Sequence, residues 1–171
     1  MGLSNRHRRF LLIEQGLGPA VFNCLLNGPI AWALFRSSTT VPLWGPSSVG
    51  VDLLATAFIL PFLTSIIVSA IVTRQLESGK VPALPPSQLP NWRWYLRSSS
   101  MRGLLLAAAG ILFGTLPVLW ALSLGQAQPF LVADFVAFKA LWSALLALAV
   151  TPLAGWWALA HASQASQAPQ A

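Results

Sequence analysis

Four apolar stretches, at roughly 10–35, 51–73, 103–124 and 130–160, alternate along the chain with short polar or proline-containing segments. Each runs to about 20 residues or more, the length an α-helix needs to cross a hydrocarbon core of roughly 30 Å. The pattern predicts an all-α, polytopic membrane protein with four transmembrane helices in a single domain over 1–171. Pro42-Leu43-Trp44-Gly45-Pro46 reads as a rigid turn between the first two helices. The connection over 74–102 carries Gly79-Lys80-Val81-Pro82 and Pro85-Pro86, so it should be extended and irregular. It ends on Trp92-Arg93-Trp94-Tyr95-Leu96-Arg97, where aromatics alternating with arginines suit the headgroup level of a bilayer. The Ala/Ser/Gln tail over 162–171 reads as disordered.

Composition strengthens the membrane reading. At 56% hydrophobic and 8% charged residues, a soluble domain of this size could not keep its apolar surface from water. Charge then sets the threading. Arg6, Arg8 and Arg9 precede the first stretch, and Arg74, Lys80, Arg93, Arg97 and Arg102 separate the second from the third. The opposite side offers only Arg36. The positive-inside rule therefore places both termini in the cytoplasm of a bacterial inner membrane. The net charge of +6 reads as a topology signal and an attraction to anionic lipid headgroups, not as a nucleic-acid footprint. The first stretch has a basic head and Ala31-Trp32-Ala33, but its length and its Asn23, Asn27 and Pro29 mark a retained anchor, not a cleaved signal.

The stretches also repeat. Pro29-Ile30-Ala31-Trp32-Ala33-Leu34 matches Pro117-Val118-Leu119-Trp120-Ala121-Leu122, and Asp52-Leu53-Leu54-Ala55 matches Asp134-Phe135-Val136-Ala137. Two hairpins that both start and end in the cytoplasm make a parallel 2+2 repeat about an axis along the membrane normal. Trp32 and Trp120 should then lie at matching depths.

Polar residues at membrane depth are where chemistry could reside. Lys139 stands inside the fourth stretch, at a cost of about 2.5–3.5 kcal/mol on insertion scales. Asp134, five residues before it, is out of register for an intrahelical pair. Asp52, at the matching end of the second helix, could meet it across the bundle. Asp52 and Asp134 also stand where helix caps would, and the capping reading needs no further purpose. Asn23 and Asn27, four apart on one face, should look into the bundle and join helices, with Thr56 facing them. Asn23, Asn27, Asp52, Thr56 and Lys139 are the candidate intramembrane polar cluster; a hydrated path along it is the sharper alternative.

No catalytic set appears among the residues, and the short loops leave no room for a soluble catalytic domain, so the chain reads as no enzyme. The single Cys24 cannot exchange disulfides, and His7 and His161 lack a ligand set at metal-binding spacing, so no cofactor or metal is expected. The Asn-containing first helix, Pro42-Leu43-Trp44-Gly45, the run Asp52-Leu53-Leu54-Ala55-Thr56 through Leu60-Pro61-Phe62, and Gly79-Lys80-Val81-Pro82 resemble a group of small four-span bacterial membrane proteins without assigned activity. The resemblance covers most of the first half and only the general pattern of the second. It implies an all-helical four-span fold and brings no site residue. Expected partners are membrane lipids, other membrane proteins or further copies of the chain. Two function classes stay open: an accessory or scaffold component, and a small oligomeric permease or channel.

Overall fold

The structure, a computed structural model, describes residues 5–89, 98–125 and 129–167. Four helices are long and apolar enough to cross a membrane: α1 (Arg6–Phe35), α2 (Val49–Glu77), α3 (Ser99–Leu124) and α4 (Val132–Gln167). The chain is thus an all-helical, multi-pass membrane protein. Two short strands, β1 (Thr40–Val41) and β2 (Phe130–Leu131), pair antiparallel and tie the α1–α2 loop to the start of α4. They mark one end of the bundle, the strand end; residues 5 and 167 lie at the other, the terminal end.

Packing runs in the order α1, α4, α2, α3. The central pair is α2 and α4, with α1 against α4 and α3 against α2. Exchanging α1 with α3 and α2 with α4 leaves that order unchanged, as a parallel two-hairpin repeat requires. Each helix packs mainly on the other hairpin; α3 touches its loop-connected neighbour α4 only lightly, through Gly110 and Gly114 against Leu146. Trp32 and Trp120 are both exposed, three and four residues from the strand-end termini of α1 and α3.

Proline shapes both outer helices in the same way. π-helical turns at Phe10–Leu17 in α1 and Gly110–Thr115 in α3 end just before Pro19 and Pro117. The Gly18 and Leu116 amides reach back five residues, to the carbonyls of Ile13 and Ile111. A wider turn relieves the chain ahead of a ring that has no N–H and clashes with the preceding turn. This feature equates Pro19 with Pro117, whereas the sequence match sets Pro29 against Pro117.

Small residues let the backbones approach. A Cβ on Gly103 would sit 3.0 Å from the carbonyl oxygen of Phe62, and one on Gly110 would sit 3.2 Å from that of Ala57. The Ala57 carbonyl is the one Pro61 leaves without its helical donor, so α3 covers it with a bare glycine. At the strand end, Phe35 meets Phe135 edge-on at 5.1 Å between centroids, and Phe130 packs on Phe135 and Phe138.

The terminal end departs from the sequence reading. Instead of a disordered tail from residue 162, α4 continues to Gln167 with Ala162 and Ser163 buried. The reason is the described part of the α2–α3 connection, up to Leu89, which lies across the helix ends as a strap. The Leu84 amide donates to Ser163 Oγ at 3.0 Å, Gln167 Nε2 donates to the Leu84 carbonyl at 2.8 Å, and His7 Nε2 bonds the Pro82 carbonyl at 2.9 Å. Val81 and Leu84 are buried under these contacts. The connection is irregular, as its prolines predict, but it is packed. The Trp92–Arg97 segment and residues 168–171 lie outside the described residues.

Candidate functional site

Because α1 and α2 both lean on α4 and make at most marginal contact with each other, a groove of about 750 Å³ runs between them with α4 as its floor. All five residues of the polar cluster line it: Asn23 and Asn27 from α1, Asp52 and Thr56 from α2, and Lys139 from α4. The walls between are apolar, and Phe22, Leu26, Ile59, Leu63 and Ile67 are 45–62% exposed. The groove is therefore open along its side, toward the surroundings of the bundle and not toward its axis.

At the strand end Lys139 faces inward, with its side chain 2% exposed, and its ammonium donates to Asp52 Oδ2, whose side chain is 10% exposed. Two opposite charges desolvated together are neutral as a unit. Removing either one would strand the other in a low-dielectric setting. The capping reading of Asp52 is corrected here. The cap of α2 is Ser48, whose Oγ accepts from the Val51 amide at 3.3 Å. The loop supplies the remaining acceptors, Pro42 O to the Val49 amide and Leu43 O to the Gly50 amide, each at 3.0 Å. Trp44 folds over Gly50, where a Cβ would meet the indole at 2.8 Å. Asp52 stands four residues past the cap, and its carboxylate is thereby left for Lys139. Asp134 is exposed in the first turn of α4, where a negative charge suits the helix dipole.

The asparagines do not join helices through their amides. Asn23 Nδ2 donates to the Pro19 carbonyl at 2.9 Å, and Asn27 Nδ2 donates to the Asn23 carbonyl at 3.0 Å. Both are satisfied within α1, next to the π-helical turn and its proline. The link across to α4 comes from Ser143, whose hydroxyl donates to Ala140 O at 2.9 Å and reaches Asn23 O at 3.3 Å. Thr56 lines the groove, half-buried. Cys24 is half-buried on the same helix.

Outside the candidate cluster, the terminal end of the groove adds Gln75 and Thr151, which sequence reasoning did not single out, to Glu14 and Gln15, polar residues already evident on the first helix. Glu14 and Gln15 from α1, Gln75 from α2 and Thr151 from α4 line it there. Gln15 and Thr151 are buried, and Gln15 Oε1, Gln75 Oε1 and Thr151 Oγ1 have no hydrogen-bond partner among the described residues. Gln15 belongs to the π-helical turn and lies over Gly155, where a Cβ would come within 2.9 Å of its Cγ. A glutamine in a wide helical turn, facing a glycine on another helix, is the signal in retrospect. No periodicity connects those two positions.

The chain matches no family model, no curated protein and no solved structure.

Proposed function

We propose that this chain is a non-enzymatic component of a bacterial inner membrane, an accessory or scaffold protein with both termini in the cytoplasm. The observation that carries the reading is the direction of the groove. It opens sideways, while the centre of the bundle is filled by the α2–α4 contact. A conduit needs polar groups presented to a passage. Here Lys139 and Asp52 are spent on each other and the asparagines on their own helix. The groove is the working surface under this reading, and it receives something that moves in the plane of the bilayer. The resemblance to small four-span bacterial proteins forms part of the same proposal.

Tagged full-length chain purified in mild detergent should carry a stoichiometric component. Leu63→Trp, at a wall position 47% exposed, should fill the groove and release it while the protein stays folded. A clean homo-oligomer indifferent to Leu63→Trp, together with solute uptake that stops in Lys139→Gln, would favour the permease instead. Reporter fusions after Thr73 and Ala171 should report cytoplasm, and those at Ser47 and Gln126 the outer side; a cytoplasmic signal at Ser47 would overturn the orientation.

A further inference from the structure

We infer that the groove holds one membrane lipid with a primary ammonium headgroup, an aminophospholipid, with its head at the terminal end. The inference rests on the groove being the working surface and names its occupant.

Size and shape narrow the occupant first. The groove holds about 750 Å³, within the roughly 300–1,000 Å³ range of small-molecule sites, and its long apolar walls suit an acyl chain. A second acyl chain can stay outside, through the open side, among the surrounding lipid.

Charge then selects the head. The protein is basic, with a net charge of +6, and its flanks attract anionic lipid. Within the groove the sign reverses: two carboxylates, Glu14 and Asp52, stand against the single ammonium of Lys139. Lys139 is already held by Asp52, so Glu14 is the remaining charge, exposed at the terminal end.

Hydrogen bonding narrows the choice further. Buried oxygens without donors are uncommon and call for a partner. Gln15 is 6% exposed and Thr151 1% exposed, and with Gln75 they bring three such oxygens to the lining of one groove. The terminal torsion of glutamine is broad, so the half-buried Gln75 carboxamide turns readily toward a donor; Gln15 is held against Gly155. A primary ammonium carries three N–H groups. A quaternary ammonium carries the charge without the donors, and a phosphoglycerol head brings a net negative charge to Glu14.

Native mass spectrometry of the delipidated full chain, titrated with phosphatidylethanolamine, phosphatidylcholine and phosphatidylglycerol of identical acyl chains, tests this. One phosphatidylethanolamine per chain should be retained, about tenfold more strongly than either other lipid, the scale of one charge-assisted hydrogen bond. Glu14→Gln should remove the preference, Leu63→Trp should remove the lipid, and Asp134→Asn, outside the groove, should change neither. Equal retention of the three lipids, a preference for phosphatidylglycerol, or retention that survives both groove variants would overturn the inference. So would a groove occupied by a helix of a second copy. Loss of a protein component in Leu63→Trp without any lipid preference would leave the groove as the working surface and sink only its lipid occupant.

Discussion

The two ends of the groove handle buried polarity in opposite ways. At the strand end every strongly polar group of the cluster has a named partner: Lys139 has Asp52, Asn27 has the Asn23 carbonyl, and Asn23 has the Pro19 carbonyl. At the terminal end Gln15, Gln75 and Thr151 keep oxygens without one among the described residues. Closed polar networks fix which helix faces which, since any other arrangement leaves a charge or amide stranded. Open ones call for an explanation. Thr115 Oγ1 in the π-helical turn of α3 and Gln88 Oε1 are also without partners among the described residues but lie outside the groove, whereas Gln15, Gln75 and Thr151 share its lining. The difference separates a structural end from a binding end in one continuous surface.

The largest effect should come from breaking the closed end. Lys139→Leu leaves the Asp52 carboxylate buried without a counter-ion and should cost about 3–5 kcal/mol, read as a fall in the thermal midpoint in detergent. Adding Asp52→Leu should recover most of that loss, because replacing both charges with apolar groups removes the desolvation penalty together with the attraction. Losses that simply add would mean that the two side chains act independently.

Gly103→Ala should come next. Its Cβ would press on the Phe62 carbonyl at 3.0 Å, a backbone atom that cannot swing aside, and the over-packing should cost about 1–3 kcal/mol. Gly79→Ala, in open space but at a φ of +71°, is strained by conformation instead, and should cost about 1 kcal/mol. A Gly103→Ala protein as stable as wild type would show that α2 and α3 are not held this closely.

Ser48→Ala removes the side-chain cap of α2 and should cost about 1 kcal/mol. Asp52→Asn, if it were only a capping change, would match that value; a clearly larger loss marks Asp52 as the partner of Lys139. The smallest effect belongs to the open end. Thr151→Val deletes a buried hydroxyl that has no partner among the described residues, so stability in lipid-free detergent should stay level or rise by up to about 1 kcal/mol. The same substitution should weaken phosphatidylethanolamine retention. A destabilised Thr151→Val would place a structural hydrogen bond at this end and erase the contrast.

Element by element, the fold was legible where composition alone forces the outcome. The four apolar stretches become four helices because unsatisfied backbone groups are not tolerated in hydrocarbon, whatever the neighbours. Helix ends shifted where a local partner extends them: Ser48 and its loop start α2 at Val49, and the strap carries α4 past residue 160 to Gln167. The stretch 162–167 was unreadable because Ala, Ser and Gln are neutral residues whose state depends on whether Leu84 comes to lie against them.

For the site, sequence determined that Lys139, Asp52, Asn23 and Asn27 must avoid lipid, since charge and amide burial are expensive in any fold. Tertiary structure decided which of them meet. Asp52 reaches Lys139 because α2 and α4 run side by side at the centre, and because Ser48 takes over the capping. Whether α1 would pack on α2 or on α4 was open to the sequence, because apolar faces carry no address. The choice of α4 creates the groove, sets Gln15 over Gly155, and gives the protein a concave surface of mixed character.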